Sequence, residues 1–359
     1  MRAAVVRELN VPVEISDQIE LAGPGPGEVR VKMVAAGVCH SDISGTNGTF
    51  PMPLPFVIGH EGAGEIIAVG EGVSTLAVGD HVILSWMPPC GSCRFCLGGQ
   101  PHLCLNEVAI GTLAQRFSLN GEQVYGFSGT GTFAEETVVS HKGAIKIPDD
   151  VPLDVASLIG CGVMTGVGAV INTARVEPGS SVVVIGAGGV GISVIQGARI
   201  AGAAEIIAVD PVEAKHEMAR SFGATHAAAP EGLADLKQEL TEGHGFDYAF
   251  EVVGHPATIR SAYDATRRGG TTVVVGAGKS DAIVEFNAYE LFFDEKRILG
   301  CLYGSADVRR DFHRLIRLWR QGKLDLEGMI TRRVTLDEVN DAFDAMMRGE
   351  VIRQVIEFK

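Results

Sequence analysis

The first third of the chain alternates apolar and polar positions with the period of two that is typical of β-strands. Residues 2–9 and 11–16 have the pattern of a hairpin, and residues 28–36 form the clearest alternating run. Further strands are predicted at residues 65–69 and 81–84, with glycine- and proline-rich turns between the runs. We therefore expect a β-rich domain at the start of the chain.

The pattern changes after residue 180. Residues 182–185 are continuously apolar, which is typical of a parallel strand covered on both faces. Strand and helix patterns then alternate, and this alternation predicts a doubly wound α/β sheet. Predicted helices are a segment ending near 201, then 212–222, 233–242 and 257–267, and predicted strands are 206–209, 225–228, 248–252, 272–275 and 297–303.

The last fifty residues are again predicted to be helical. Apolar residues recur with helical spacing at positions 312, 315, 316 and 319, and the pattern repeats over residues 336–347. A final strand, 353–358, is expected to return to the first domain. The chain is thus predicted to leave the β-rich domain and to come back to it.

Composition narrows the class of protein. The 359 residues are enough for two domains, and the net charge of -14 argues against nucleic acid or an anionic membrane surface as partner. The 21 uncharged residues 178–198 include six glycines, which favours strand, turn and buried helix over a membrane span. The start of the chain lacks the pattern of an export signal, so the seven cysteines are expected to be thiols or metal ligands in the cytoplasm.

Four closely spaced cysteines form the most specific local motif. Cys90, Cys93 and Cys96 make two successive C-x-x-C steps, and Cys104 follows eight residues later. Four thiolates at such spacing are typical of a structural Zn²⁺ ion with a closed coordination shell. The alternatives are disulfides, which a reducing compartment disfavours, and an iron–sulfur cluster, which the last spacing disfavours.

A glycine-rich turn follows the apolar strand 182–185. Such glycines let the backbone and a helix N-terminus approach a pyrophosphate. Asp210 ends the next strand, 19 residues past the turn, where an acid accepts hydrogen bonds from ribose hydroxyls and repels a 2′-phosphate. NAD is therefore favoured over NADP, and capping of helix 212–222 is the alternative role for Asp210. The turn matches G-x-G-x-x-G over Gly186, Gly188, Gly189, Val190 and Gly191.

Three further candidate ligands are far apart in the sequence. Cys39, His60 and Cys161 offer two thiolates and one imidazole, a set that suits a Zn²⁺ ion with an open fourth position, as in catalytic sites. Cysteine is often simply buried, so packing is the alternative role for each of these residues. The sequence spacing alone leaves both interpretations open.

Together these motifs resemble the zinc-containing medium-chain alcohol dehydrogenase family. The resemblance implies an α/β protein with a GroES-like β-rich catalytic domain at 1–162, including a structural-zinc lobe at 88–106. It also implies a Rossmann doubly wound parallel sheet domain at 163–302 and a return to the catalytic domain at 303–359. It is carried by Cys39-His40-Ser41-Asp42, Gly59-His60-Glu61, the four cysteines, Gly160-Cys161-Gly162, the turn with Asp210, and Gly349-Glu350-Val351-Ile352-Arg353.

The resemblance implies a role for each matching residue. Asp42 would orient His60, Glu61 would lie beside the metal, and Ser41 would take the proton of an alcohol. The alternatives are a paired buried carboxylate for Glu61 and a solvated charge for Arg353. The implied zinc ions number two per chain, a catalytic one on Cys39, His60 and Cys161 and a structural one on the four cysteines. The implied NAD contacts are the turn 186–191, Asp210, His40, Thr165, Lys215 and Arg353.

The implied substrate pocket contains Phe50, Trp86, Ala109 and Phe133. These side chains favour an apolar primary or secondary alcohol, which could be aromatic, terpenoid or medium-chain, with the matching aldehyde or ketone as product. Simple packing is the alternative role for the rings. Competing functions are a polyol dehydrogenase, a formaldehyde dehydrogenase acting on the glutathione adduct, and a non-enzymatic relative that the complete ligand set disfavours.

Two departures from the family pattern stand out. His40 lies where an arginine often contacts the pyrophosphate, and Ser44 lies where some members pass the proton to solvent through a histidine.

Val108 lies near the position of an arginine in members that act on the glutathione adduct. The resemblance also suggests a homodimer or homotetramer, with residues 299–303 as a dimer edge.

Overall fold

The computed structural model describes residues 1–359 and divides into two compact units. Unit 1 comprises residues 1–161, 307–318 and 326–359, and unit 2 comprises residues 162–306 and 319–325. The sequence-based division differs in assigning all of 303–359 to the first domain. Residues 319–325 group with unit 2 because Gln196 Oε1 accepts the Asp325 N–H at 2.8 Å and Arg199 donates to the Lys323 carbonyl at 2.9 Å.

Most of the strands and helices are short. The strands are β1 (Ala3–Val6), β2 (Glu14–Ser16), β3 (Ile19–Leu21), β4 (Glu28–Val38), β5 (Phe56–Val57), β6 (Gly62–Val69), β7 (His81–Leu84), β8 (Phe117–Leu119), β9 (Glu122–Gly126), β10 (Glu136–Ser140), β11 (Ala144–Lys146), β12 (Ser181–Ile185), β13 (Glu205–Val209), β14 (His226–Ala228), β15 (Phe246–Glu251), β16 (Thr266–Val274), β17 (Arg297–Gly300), β18 (Ile330–Val334) and β19 (Arg353–Glu357). The helices are α1 (His40–Thr46), α2 (Arg94–Leu97), α3 (Asn106–Leu113), α4 (Leu153–Ser157), α5 (Gly162–Gly168), α6 (Gly189–Ala201), α7 (Ala214–Ser221), α8 (Leu233–Thr241), α9 (Pro256–Ala265), α10 (Ala288–Asp294), α11 (Val308–Arg320) and α12 (Val339–Met347).

Unit 1 contains two β-sheets. One has the strand order β2-β1-β5-β9-β8-β3, and the other has the order β11-β7-β6-β4-β19-β18, with β10 paired to β4. The predicted hairpin is confirmed, since β1 and β2 pair antiparallel, but both strands are shorter than their hydrophobic pattern. The predicted return is also confirmed, because β19 pairs antiparallel with β4 and so links the end of the chain to its beginning.

Unit 2 is a parallel sheet with the strand order β14-β13-β12-β15-β16-β17. This is the doubly wound order, in which two halves extend in opposite directions from β12 and β15. The predicted fold class is therefore confirmed. The last strand ends at Gly300, earlier than predicted, because Tyr303, Gly304 and Ser305 all have left-handed backbone angles, which no strand can accommodate.

Burial explains where the core of each unit lies. In unit 1, β4 is buried along most of its length, and a cluster around Phe56, Ile58, Phe127 and Phe133 fills one side. In unit 2, the predicted apolar strand β12 is almost fully buried. No single helix is long and apolar enough to span a membrane, although the bent pair Leu153–Gly160 and Gly162–Ala174 meets the length and composition thresholds.

Candidate metal centres and dinucleotide turn

The buried strand β4 delivers Cys39 to the start of α1. Cys39 is still extended, with φ of -132° and ψ of 154°, and Asp42 occupies the third helical position. The Asp42 carboxylate therefore reaches back, and its Oδ2 accepts the Cys39 N–H at 2.9 Å. Its other oxygen, Oδ1, lies 2.7 Å from His60 Nδ1. One buried carboxylate thus fixes both a candidate thiol ligand and a candidate imidazole ligand.

His60 has the geometry of a metal ligand. Because Nδ1 is held by Asp42, the proton of a neutral ring lies on Nδ1 and leaves Nε2 as the electron-pair donor. His60 Nε2 is buried and makes no regular hydrogen bond. A buried polar atom in this position is costly unless something binds it.

The candidate ligands that are distant in sequence meet in unit 1. Ligand atoms of Cys39, His60, Glu61 and Cys161 all lie within 4.8 Å of one another, and all four residues are buried. Two sulfurs, one imidazole and a nearby carboxylate are a donor set that Zn²⁺ prefers. The residues present therefore fit a zinc ion.

The Cys39 and Cys161 thiols change each other's pKa through a hydrogen bond. A hydrogen bond with Cys161, which outweighs burial, lowers the pKa of Cys39 well below its usual value, and the same bond raises the pKa of Cys161 well above its usual value. For His60, burial alone would lower the pKa, but the Asp42 charge and hydrogen bond raise it well above the ordinary value. A bound divalent ion displaces these protons, because thiolates and a neutral imidazole are the ligating forms.

Glu61 belongs to a buried ion pair. Its Oε2 accepts a hydrogen bond from the Arg353 guanidinium, and neither side chain is more than 4% exposed. Burial raises the pKa of Glu61 to about 8, against the opposing effect of Arg353. Glu61 is therefore a paired buried carboxylate, and it also lies beside the candidate metal ligands, so both interpretations of the sequence are compatible with the structure. The alternative of a solvated charge for Arg353 is wrong, because this residue lies on the buried strand β19.

Gly37 makes room for this ion pair. A Cβ atom on Gly37 would lie 2.3 Å from Glu61 Oε2 and 2.9 Å from an Arg353 nitrogen. Only glycine fits this position on β4 without displacing one of the charges. Sequence analysis missed Gly37, although an isolated glycine inside an alternating strand indicates a close approach.

The four cysteines of the lobe also converge. Ligand atoms of Cys90, Cys93, Cys96 and Cys104 lie within 4.8 Å of one another, and the Cys90 and Cys96 sulfurs are 3.9 Å apart. Zn–S bonds of about 2.3 Å in a tetrahedron place sulfurs about 3.8 Å apart, so this spacing fits zinc. Backbone N–H groups of Ser92 and Cys93 point at the Cys90 sulfur and lower the pKa of Cys90 to about 5, which favours the thiolate that binds metal.

The four predicted pocket residues lie in different surroundings. Trp86 meets the His60 ring edge-on at 6.4 Å between centroids, beside the candidate metal ligands. Phe133 has no exposed surface and Phe50 packs against the same cluster, so both contribute to the core of unit 1. Ala109 is exposed on α3. Sequence analysis missed Phe127, which lies 5.7 Å from His60 and carries no motif of its own.

The glycine-rich turn of unit 2 has the shape of a phosphate cradle. Gly186 has a φ of +103°, and a Cβ atom on Gly191 would lie 1.8 Å from the Gly186 carbonyl oxygen. A Cβ atom on Gly188 would meet no atom within 4 Å, so open space faces the turn there. The helix α6 begins at Gly189 without a side-chain cap, which leaves N–H donors for an anion. The turn therefore fits a dinucleotide.

Asp210 is tied to the turn that it follows in sequence. Its Oδ2 accepts the Ala187 N–H at 2.8 Å and its Oδ1 accepts the Val212 N–H at 3.0 Å. The alternative role as cap of the next helix is wrong, because α7 begins at Ala214, its cap residue is Glu213, and no side chain caps it. Lys215 Nζ lies 3.4 Å from the same carboxylate. The predicted ribose contacts Asp210 and Lys215 are thus brought together.

The other predicted site residues lie on two short helices. His40 is exposed and Ser41 is partly buried, at the first two positions of α1. Thr165 is the residue of α5 that is not buried. The roles predicted for His40, Ser41 and Thr165 remain predictions.

Comparison with known proteins agrees with this arrangement. Residues 25–149 match the alcohol dehydrogenase GroES-like domain and residues 189–321 match the zinc-binding dehydrogenase domain. The chain is 40% identical to "Putative alcohol dehydrogenase D" of Mycobacterium tuberculosis, over 99% of this chain and 98% of that protein. It is 39% identical to "S-(hydroxymethyl)glutathione dehydrogenase" of Synechocystis sp., over 99% of both proteins.

The solved structures give the same result. Benzyl alcohol dehydrogenase from Acinetobacter calcoaceticus superposes with a TM-score of 0.93 at 34% identity, covering 100% of this chain and 99% of that one. Sequence identity, domain composition and fold therefore agree over the whole length of the chain. The chain belongs to the zinc-containing medium-chain alcohol dehydrogenase family, and it is an NAD-dependent oxidoreductase.

Proposed function

We propose that this enzyme transfers hydride reversibly between an apolar primary or secondary alcohol and NAD. The supporting observation is that the ligand atoms of Cys39, His60 and Cys161 lie close together in the core. His60 Nε2 makes no hydrogen bond of standard geometry there. A Zn²⁺ ion held there would act as a Lewis acid on the alcohol oxygen, and NAD would accept the hydride. A second zinc ion in the four-cysteine lobe would have a structural role.

The protein's own residues prepare this chemistry. Asp42 keeps the His60 proton on Nδ1 and so presents Nε2 to the metal. Two thiolates and a neutral imidazole balance a divalent charge, so a negatively charged oxygen is tolerated without a large excess charge. Ser41, between Cys39 and Asp42, would relay the alcohol proton toward solvent, releasing its own hydroxyl proton as it accepts that of the alcohol. Arg353 neutralises Glu61 and limits the negative charge around the thiolates.

The surroundings of His60 support an apolar substrate. The rings of Trp86 and Phe127 both pack nearly perpendicular to the imidazole, and pockets for such alcohols are built mainly from apolar and aromatic side chains. The similarity to a benzyl alcohol dehydrogenase points in the same direction. We therefore infer that aromatic alcohols are better substrates than polyols.

The glutathione adduct of formaldehyde is the second candidate substrate, because several relatives are named for it. That adduct carries carboxylates, which need a cation. The helix α3, which contains Val108, has no lysine or arginine and carries Glu107. Glu107 is paired with Lys142 at 2.7 Å, so the neighbouring cation is already engaged. These charges favour the apolar alcohol.

A substrate panel tests the proposal. Purified enzyme is assayed for NADH formation with benzyl alcohol, hexanol, sorbitol and the glutathione adduct, and benzyl alcohol is repeated with NADP. We expect the highest kcat/KM for benzyl alcohol with NAD. A higher kcat/KM for the adduct than for benzyl alcohol would favour the second candidate, and equal use of NADP would contradict the role of Asp210.

We also propose that two copies associate through β17. This strand ends the sheet of unit 2, so one edge has no partner strand in the chain. Exposed apolar side chains lie on it and on nearby α10, where Phe292 is 78% exposed, Tyr289 65% and Ile298 37%. Ile298→Asp should lower the mass measured by sedimentation, whereas Val78→Asp, an exposed control in unit 1, should not. An unchanged mass for Ile298→Asp would contradict this interface.

A further inference from the structure

We propose that Glu251 is a positioning residue for the dinucleotide turn, acting from the side of β12 opposite to Asp210. The proposal rests on the NAD site at residues 186–191 proposed above. Glu251 is the last residue of β15 and has no exposed surface. Buried carboxylates are rare unless their oxygens are engaged, so its contacts show what it holds.

One oxygen of Glu251 organises the loop that follows β15. Oε1 accepts the N–H groups of Val253 at 2.9 Å and Gly254 at 2.7 Å. The hydroxyl of Thr258, in the first turn of α9, lies 2.7 Å from the same oxygen. Hydrogen bonds to a charged acceptor are stronger than neutral ones. The loop 252–254 is thus tied both to its own strand and to the next helix.

This loop forms a wall of the dinucleotide turn. A Cβ atom on Gly186 would lie 2.9 Å from a methyl carbon of Val252 and 3.0 Å from one of Val253. The Val252 N–H donates to the carbonyl of Ile185, the residue before the turn, at 3.0 Å. The opposite face of the loop is also filled, since a Cβ atom on Gly254 would lie 2.6 Å from the Ala277 backbone. A shift of this loop would therefore displace Gly186.

Two carboxylates then act on the turn from its two sides. β12 lies between β13 and β15 in the sheet, and Asp210 and Glu251 lie at the corresponding ends of those neighbours. Asp210 holds the turn directly through Ala187. Glu251 holds it indirectly through Val252 and Val253. The second oxygen of Glu251 is buried without a hydrogen-bond partner. Burying this oxygen costs folding free energy that an apolar residue would not cost.

The Glu251 loop therefore supports the turn at which NAD is proposed to bind. Loss of Glu251 should weaken the binding of NADH.

Ligand titrations test this inference. Glu251→Ala leaves two N–H groups without their acceptor, so the Kd of NADH should rise roughly ten- to a hundredfold. Glu251→Gln keeps one acceptor oxygen and should restore most of the NADH affinity. Thr258→Val removes one contact and should raise the Kd of NADH by about threefold. Binding is followed by NADH fluorescence.

Asp247 provides the matched control. It lies at the opposite end of β15, and it accepts the Ser181 N–H at 2.8 Å and pairs with Arg267 at 2.7 Å, far from the turn in the strand register. Asp247→Ala should lower the melting temperature without changing the Kd of NADH. Glu251 variants that fold and bind NADH as tightly as the wild type would overturn the inference. Wild-type enzyme that binds no NADH would instead refute the proposed cofactor site.

Discussion

The two candidate metal centres of unit 1 are built in opposite ways. The lobe draws Cys90, Cys93, Cys96 and Cys104 from 15 consecutive residues, and three of these thiols are partly exposed. The second centre draws Cys39, His60 and Cys161 from three distant segments, and all three are buried. The first centre is formed by one local loop, and the second is formed inside the core by residues that the fold brings together.

This difference predicts what each centre depends on. The lobe has few apolar contacts of its own, and Leu97 at 75% and Leu105 at 64% exposure contribute little to a core. A bound ion must therefore supply most of the free energy that orders it. The buried centre is held by β4, Asp42 and the Glu61–Arg353 pair, so its geometry should persist when the metal is lost. Removing one ligand from each centre should show whether the lobe needs its metal to fold and whether the buried centre keeps its geometry without metal.

The largest expected effect is the loss of activity on removing a ligand from the buried centre. Cys161→Ala should lower kcat/KM for the best alcohol by roughly a thousandfold or more, because the Lewis acid is lost. Zinc measured by mass spectrometry should fall by one ion per chain, and the melting temperature should change little. A variant with a wild-type rate would contradict the assignment of Cys161.

The matched substitution in the lobe should have the opposite profile. Cys104→Ala should also remove one zinc ion per chain, but it should lower the melting temperature by on the order of 10 °C. The kcat/KM of the folded fraction should stay within about threefold of the wild type, since the lobe holds none of the reacting groups. If Cys104→Ala abolishes activity in protein that remains folded, the two centres are not independent.

A smaller effect is expected when the orientation of His60 is weakened. Asp42→Asn keeps the shape of the side chain but loses its charge, and its single oxygen can accept only one of the hydrogen bonds from Cys39 N–H and His60 Nδ1. Zinc affinity of the buried centre should fall roughly ten- to a hundredfold, as is typical for residues that orient a metal ligand. Competition with a coloured chelator should then release one ion early and the lobe ion at the normal rate. Simultaneous early release of both ions would contradict the prediction.

A still smaller effect should follow from filling the space beside the Glu61–Arg353 pair. Gly37→Ala would place a Cβ atom 2.3 Å from Glu61 Oε2, and such overpacking costs about 1–3 kcal/mol of unfolding free energy. Gly23→Ala is the matched control, because its Cβ atom would meet nothing within 4 Å. Urea unfolding should distinguish the two variants. Equal stability would show that the ion pair moves freely.

The smallest expected effect is a change in the pH dependence of stability, and it arises from Asp247, which lies outside both centres. Burial alone would raise the pKa of Asp247, but hydrogen bonds from Ser181 and the pair with Arg267 lower it. A lowered pKa in the folded state means that the carboxylate stabilises the fold above the unfolded pKa of about 3.9, and that this stabilisation disappears as pH falls through the folded value. Asp247→Asn should therefore melt below the wild type at pH 7 and converge with it in acid. A gap that widens in acid would contradict this sign.

Local patterns predicted much of the architecture. The alternating run at 28–36, the apolar strand at 182–185 and the turn at 186–191 each depend on neighbours in sequence, and each was found where expected. Boundaries were less accurate where tertiary contacts intervene. Residues 319–325 belong to unit 2 because Gln196 bonds to Asp325, a contact over 129 positions that no local pattern contains.

The sequence by itself determined the identity of the ligands, because residue type and spacing fix which atoms can bind zinc and which turn can face a phosphate. Only the tertiary structure decided how those atoms are held. Asp42 meets His60, Arg353 meets Glu61 across 292 positions, and Phe127 meets the imidazole because β-sheet pairing brings distant strands together. Such contacts are set by the packing of the whole unit, and packing depends on shape in three dimensions rather than on order along the chain.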